Sequence, residues 1–416
     1  MPIHHKNTLY NCRVICLNQK ILLIRPKLNL ADGNNYREAR WFTPWLKPRA
    51  VEEFYLNNTI AQITGQQTTS FGNAVIQCLD TSVGCETCEE LWVPHNPHVD
   101  YGLDGVEIIA NGSGSHHELR KLDYRLGLIQ HSTKRNGGVY LYANLQGCDG
   151  NRLYFDGSSM IFMNGVPYAQ APQFSADEVR VEIGVLDLDE VRSLRGGNTS
   201  RCMQASLHEP LHRVKADISI QRHTNLPLSK NLEKIRTHLP EEEIGFGPAM
   251  WMWDYLRRSG ARGFFLPLSG GADSASVAAL VASMAVLVLQ NINQGNHHTL
   301  KELRRVVKDP NFFPNKYQDI VGRVLVTSYL GTKNSSDETL DRAKRLATGI
   351  GSLHYDIGID EAYDSIVNVF AKATGKTPQY EANGGQMIED LSLQNIQARI
   401  RMVISYLMAQ LVPWTQ

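Results

Sequence analysis

Three stretches carry residues whose types and spacing could do chemistry. The first is Pro267-Leu268-Ser269-Gly270-Gly271-Ala272-Asp273-Ser274. It follows an apolar run, Gly263 to Leu268, that reads as a short buried strand, and it opens a long Ala/Val/Leu helix from Ser274. Glycines let backbone approach a ligand closely, and the first N–H groups of a helix have no internal partner, so this turn suits an anion. Ser269 and Ser274 add hydroxyl donors, and Asp273 offers a hard oxygen for Mg²⁺. No Gly-Lys-Ser/Thr follows, so the Walker pattern is absent. The second is Cys88, within Glu86-Thr87-Cys88-Glu89-Glu90 at a strand-to-helix junction, where helix N-termini stabilise thiolates. The third is Lys27, just past a β-hairpin and ahead of a polar loop, Asn29 to Glu38. Taken alone, a lysine there is usually a solvated edge residue and a cysteine a small buried hydrophobe.

The elements that must position these residues follow from pattern. Leu9 to Asn18 and Ile21 to Pro26 read as the hairpin. Ala74 to Leu79, Val106 to Ala110, Val139 to Ala143, Ser159 to Met163 and Val179 to Leu186 read as strands, and Thr81 to Glu90 as polar and turn-prone. A helix runs to about Lys134, a shorter one spans Asp187 to Arg195, and an α/β sandwich results. Gly196 to Lys230, rich in Arg, Asn, Ser, His and Pro, reads as a connection. Phe246, Met250, Trp253 and Leu256 recur at helical spacing after Pro240 and are expected in a core. Beyond the glycine turn, a polar insertion (Asn291 to Gln318), a strand from Val321 to Ser328, a helix through Gly349 and a strand from Ser352 to Ile357 give βαβ steps, with ligand expected at the carboxyl ends of the strands. A final helix, Ser392 to Leu411, carries Asn395, Arg399 and Arg401.

Composition narrows the partners. Lys+Arg and Asp+Glu are equal at 42 each in 416 residues, so no basic excess points to nucleic acid. The N-terminus has no signal-peptide h-region, and the longest apolar segment, Ala275 to Leu289, is short for a membrane span and reads as a core helix. Seven cysteines without framework spacing fit a reducing, cytoplasmic compartment. Cys85 and Cys88 form a C-x-x-C with no second pair, so zinc is not expected.

The Ser-Gly-Gly-x-Asp-Ser order resembles the pyrophosphate loop of ATP pyrophosphatases. The surroundings of Cys88 and Lys27, with Asn111-Gly112-Ser113-Gly114-Ser115 and Tyr142-Ala143-Asn144 to Gly157, resemble the nitrilase superfamily, whose members hydrolyse amides with a Glu-Lys-Cys triad. Together the halves resemble the glutamine-dependent NAD⁺ synthetases in their eukaryotic form. The resemblance implies a nitrilase-like α-β-β-α sandwich over 1–195, a connecting segment over 196–240 and a doubly wound parallel-sheet ATP-pyrophosphatase domain over 241–416. It implies Cys88 as nucleophile and Lys27 as support for the oxyanion, with Tyr36 and Ser115 contacting glutamine. Residues 267–274 would bind ATP, with Ser269 catalytic and Asp273 on Mg²⁺, and Asn395 and Arg399 would face deamido-NAD⁺. L-glutamine or ammonia would supply nitrogen, within a homo-oligomer. Against that family the chain begins inside the amidase domain, without the triad's glutamate, and ends before later loops. Both domains are therefore expected to be truncated and the activity impaired. Two alternatives stay open: another ATP-pyrophosphatase amidotransferase, and a non-catalytic interaction protein that keeps the fold.

Overall fold

A computed structural model describes residues 1–33, 35–221 and 226–415. Asn34 of the polar loop and residues 222–225 of the expected connection lie outside that range. The chain divides into two compact units. One comprises Met1–Gly147, Leu153–Ser175 and Val179–Pro240; the other comprises Cys148–Arg152, Ala176–Glu178 and Glu241–Gln416.

The first unit holds two sheets. Five strands lie in the order Pro2–His5, Thr8–Leu17, Lys20–Pro26, Thr68–Gly72, Val51–Tyr55. Seven lie in the order Val166–Gln170, Met160–Met163, Val139–Asn144, Ile108–Ser113, Ser82–Thr87, Ala74–Gln77, His212–Lys215. Side chains alternate across a strand, and the alternation builds the layers. Ala74 and Ile76 meet Leu23 in a core shared by the two sheets. Val75, between them, faces the opposite way into a cluster with Tyr101, Ile109, Leu126, Ile129, Tyr140 and Phe162. That cluster seats the helix Lys121–Asn136. Ile24, next to Leu23, packs with Trp45 and Phe71 on the far side of the five-stranded sheet.

Three readings from pattern are corrected here. Thr81 to Glu90 is no turn: Ser82–Thr87 is an inner strand, parallel to Ile108–Ser113. Val179 to Leu186 forms no strand; Val179, Val181 and Ile183 alternate as a strand would, yet all are exposed. The connecting segment contains the helix Thr199–Leu207 and the strand His212–Lys215, which pairs parallel to Ala74–Gln77.

In the second unit three parallel strands, Phe264–Pro267, Leu325–Gly331 and Leu353–Gly358, pair in that order. Helices Ala272–Asn293 and Asp337–Ile350 cross between them. Phe264–Pro267 lies at the sheet's edge, so its apolar residues are half-buried rather than buried as expected. The middle strand starts at Leu325, because 321–324 still belong to the helix Tyr317–Val324. The polar insertion also holds a helix, His297–Val307. Ala272–Asn293 outruns the apolar segment read from sequence and is long and apolar enough to cross a membrane, but Ala278, Val281, Ala285 and Val288 on one face are buried in the unit. Met250, Trp253 and Leu256 are buried as their spacing implied, whereas Phe246 is half-buried.

Candidate functional site

Cys88 opens a short 3-10 turn, Cys88–Leu91, directly after the strand Ser82–Thr87. Its φ of 50° lies in the left-handed region, a strained backbone for any residue but glycine. A relay of hydrogen bonds holds it there. Its N–H donates to Asn111 Oδ1 at 3.3 Å, and Asn111 Nδ2 donates to the Tyr140 hydroxyl at 2.9 Å. That hydroxyl donates at 2.5 Å to Glu86, whose other oxygen meets His98 Nδ1 at 2.8 Å. Burial works against the Glu86 charge, but His98 and Tyr140 reverse it, and its pKa stands below the ordinary value.

Cys88 lines a cavity of about 610 Å³ with Glu89, Ala31, Tyr36, Ser115 and Lys121. The structure therefore gathers Cys88, Tyr36 and Ser115 into one pocket. The Tyr36 hydroxyl donates to the Gly114 carbonyl and sits 2.9 Å from His116 Nδ1. Burial raises its pKa, and the Cys88 charge raises it further. Ser115 is held by its N–H on Asn144 Oδ1 at 2.8 Å and by Arg125, whose Nη2 donates to Ser115 Oγ at 3.1 Å. Arg125 is itself fully buried and paired with Asp156 at 3.1 Å. Burial opposes its charge, but Tyr142 and Asp156 more than offset that, and its pKa is raised.

Lys27 is not the solvated edge residue that its position alone suggests; it is 2% exposed and paired with Glu38. Glu38 also accepts from Asn11 Nδ2 at 2.7 Å and from the Ala31 N–H at 2.5 Å. In sequence Glu38 reads as the end of a polar loop, and its one signal is an acid on the segment returning after Lys27. Glu89, beside Cys88, has its pKa raised by burial; Lys27 opposes the rise and Glu38 adds to it. Lys27, Glu38 and Glu89 thus share one electrostatic neighbourhood. A cysteine on a raised turn, a buried cation and an adjacent carboxyl are the parts of nucleophilic attack on an acyl carbon.

In the second unit, residues 267–274 form one structure. The Leu268 N–H donates to the Ser328 carbonyl at 2.7 Å and ties the turn to the middle strand. Ser269 Oγ and Ser274 Oγ are 3.0 Å apart, and the Gly271 N–H donates to Ser269 Oγ at 3.3 Å. Gly270 has φ +79°, and a Cβ there would meet the Thr339 carbonyl oxygen at 2.3 Å, so only glycine fits. Gly271 caps the helix without a side-chain hydrogen bond. Its first turn presents backbone donors beside the two hydroxyls, and Asp273 lies exposed in that turn. One carboxylate beside a phosphate cradle fits the way Mg²⁺ is held, by one or two carboxylates plus substrate phosphates. Among the described residues there is no cluster of three or more His, Cys, Asp or Glu for a metal.

Asn395 and Arg399 sit one turn apart on the helix Met387–Thr415, both exposed. Arg399 Nη1 donates to Asn395 Oδ1 at 3.1 Å, so they present one polar surface. Arg401 is spent on structure: its Nε donates to the Leu330 carbonyl at 3.0 Å. With Ile400 packed on Leu330 and Ile359, it pins this helix beside the carboxyl end of the middle strand.

The family description of carbon-nitrogen hydrolases matches residues 1–196, and that of NAD synthases matches residues 248–413. Glutamine-dependent NAD(+) synthetases of Dictyostelium discoideum and Homo sapiens are each 51% identical to the chain over its whole length. The Saccharomyces cerevisiae enzyme is also 51% identical. The chain spans 58% of the Dictyostelium sequence and 59% of the human one. Among solved structures, a glutamine-dependent NAD(+) synthetase from Cytophaga hutchinsonii aligns with TM-score 0.73 at 23% identity, over 99% of this chain and 59% of that one. The Acinetobacter baumannii enzyme, in complex with adenosine diphosphate, aligns with TM-score 0.64 at 19% identity, over 98% and 57%. These two likenesses bear on fold alone.

Proposed function

We propose that this chain, which belongs to the carbon-nitrogen hydrolase family over residues 1–196 and to the NAD synthase family over residues 248–413, works in glutamine-dependent NAD⁺ synthesis. The observation that carries the proposal is the presence in one chain of a cysteine–lysine amide site and a glycine-built phosphate cradle. The cavity at Cys88 has acids, Glu89 and Glu118, and a base, Lys121, on its lining. Mixed charge suits a zwitterionic amino acid, and Tyr36 and Ser115 would contact its polar atoms. Cys88 attacks the side-chain amide carbon of L-glutamine, Lys27 stabilises the charge developing on oxygen, and ammonia leaves behind a thioester that water hydrolyses.

In the second unit, residues 267–274 hold the ATP phosphates while the nicotinate carboxylate of deamido-NAD⁺ attacks the α-phosphorus and expels pyrophosphate. A carboxylate is a poor electrophile; its adenylate is a good one, and ammonia then displaces AMP. Ser269 and Ser274 donate to phosphate oxygens, and Asn395 with Arg399 offers a polar surface to deamido-NAD⁺. Asp273 would hold Mg²⁺, which would supply charge neutralisation for the departing pyrophosphate. Seven free thiols support a cytoplasmic location. Exposed Met402, Val403, Tyr406 and Leu407, on the same helix as Arg399, support a homo-oligomer in which a second copy covers them.

The test is NAD⁺ formation from ATP·Mg²⁺ and deamido-NAD⁺ with ammonia or glutamine, alongside calorimetric titration of each nucleotide. Binding of both nucleotides, with glutamine-derived nitrogen in product, supports the reading. Failure of either nucleotide to bind removes the synthetase half of it.

A further inference from the structure

Glu90, two residues after the nucleophile, is fully buried and has no part in the chemistry described so far. Its Oε1 accepts the Leu28 N–H at 2.6 Å. Its Oε2 accepts the Thr87 N–H at 2.7 Å and Arg25 Nη1 at 2.7 Å. Leu28 follows Lys27 in the chain and Thr87 precedes Cys88. One rigid carboxylate therefore bridges the backbones that carry the two site residues, and they come from different sheets. We propose that Glu90 is a positioning residue, a buried clamp that fixes the Lys27 strand end against the Cys88 turn.

Three features support a clamp rather than a chance ion pair. Charge-assisted bonds from backbone N–H groups are short, strong and directional, and here both lie at or below 2.7 Å. Arg25 neutralises the buried charge: burial works against its guanidinium, yet Glu90 beside it holds the arginine pKa above its ordinary value. The Tyr101 hydroxyl and Asn73 Oδ1 both accept from Arg25 Nε, at 3.0 and 3.2 Å, so the counter-ion is itself held in place. From the other side Asn96 Nδ2 donates to the Glu90 and Leu91 carbonyls at 3.1 and 2.9 Å, fixing the end of the turn. Cys88 needs such support because its left-handed backbone persists only where its surroundings over-determine it.

The proposal rests on reading Cys88 as nucleophile and Lys27 as its electrostatic partner, and the test separates the two. The whole chain is treated with iodoacetamide, and the Cys88 labelling rate is read by peptide mass spectrometry against exposed Cys202 as internal standard. An ångström of misplacement can cost about a hundredfold in reactivity, so Glu90→Gln, which turns an acceptor into a donor facing N–H groups, should slow Cys88 by about tenfold or more. Glu90→Asp keeps a charge opposite Arg25 but is one methylene short of the bridge; it should slow Cys88 too, and it carries the test if Glu90→Gln does not fold. Lys27→Met should slow Cys88 in the wild-type background and do little further after Glu90 is changed, since the lysine is already displaced. Folded Glu90 variants labelled at the wild-type ratio overturn the clamp, as does a Lys27→Met effect of equal size in both backgrounds. A merely structural Glu90 would lower the melting temperature without moving the Cys88:Cys202 ratio, which also overturns it. If Lys27→Met alone leaves the ratio unchanged, the reading of the site falls and the clamp with it.

Discussion

Gly270→Ala and Gly271→Ala should separate sharply, although the two glycines are adjacent in the phosphate turn. At Gly270 an alanine must adopt φ +79°, which costs a non-glycine residue roughly 1–2 kcal/mol. Its Cβ would also lie 2.3 Å from the Thr339 carbonyl oxygen, against 3.4 Å for ordinary contact. Thr339 cannot yield easily: it stands in the first turn of Asp337–Ile350, and its Oγ1 is 2.8 Å from the Tyr329 hydroxyl. The turn must therefore move by about an ångström, which for groups that must meet a ligand can cost about a hundredfold, or about 2.7 kcal/mol. At Gly271 φ is ordinary, and the nearest atom to a new Cβ is Ser269 Oγ at 3.3 Å, the end of a side chain that can rotate. The assay is calorimetric titration of each variant with ATP·Mg²⁺, with a thermal melt to confirm folding. Gly270→Ala should lose ATP affinity by tens of fold, whereas Gly271→Ala should stay within about threefold. Equal losses, or a greater loss at Gly271, would refute the argument that backbone geometry builds this cradle.

Other perturbations follow from the same structure. Asp156→Ala strips the partner from fully buried Arg125 and should cost about 3–5 kcal/mol in a denaturant titration, because an uncompensated charge remains inside. A chloromethyl-ketone analogue of glutamine should label Cys88 and spare exposed Cys16 and Cys202, with free glutamine protecting; equal labelling of all three would count against the pocket. Asp80 accepts from Ser219 Oγ at 2.7 Å and from the N–H groups of Gln221 and Ile220 at 2.6 and 3.0 Å. The Ser219 hydroxyl first, then those N–H groups, lower its pKa from 3.8 to about 2. A depressed carboxyl stabilises the fold above its unfolded value, and that contribution is lost as pH falls through the folded one. The stability difference between the wild type and Asp80→Asn should therefore be constant above about pH 5 and shrink between pH 3.8 and about 2. A difference independent of pH in chemical unfolding would contradict the assignment.

What could be read from the sequence, and what could not, divides on locality. The glycine turn was legible as a strand-to-helix bend because its residues are contiguous: those that bend the chain are those that would meet an anion. Cys88 was legible as a junction, and its strain and its neighbours Tyr36 and Ser115 appear in the structure on three separate segments. Glu38 and Glu90 were not legible as members of the site. Each acts by reaching a backbone N–H or an amine on another segment, and pairing across 11 or 62 residues leaves no periodic trace. The misread strands make the same point from the other side. Val179 to Leu186 has the right alternation, but among the described residues it joins no ladder; Ser229 meets only Val185, and Val179, Val181 and Ile183 stay exposed. Ser82–Thr87 has poor strand composition and is nonetheless an inner strand. Its Gly84 is required because a Cβ would meet the Tyr101 ring at 2.7 Å, and Glu86 because it holds His98 and Tyr140 behind Cys88. That strand's composition is set by what it carries rather than by strand propensity, so local pattern fails in the segment that leads into Cys88.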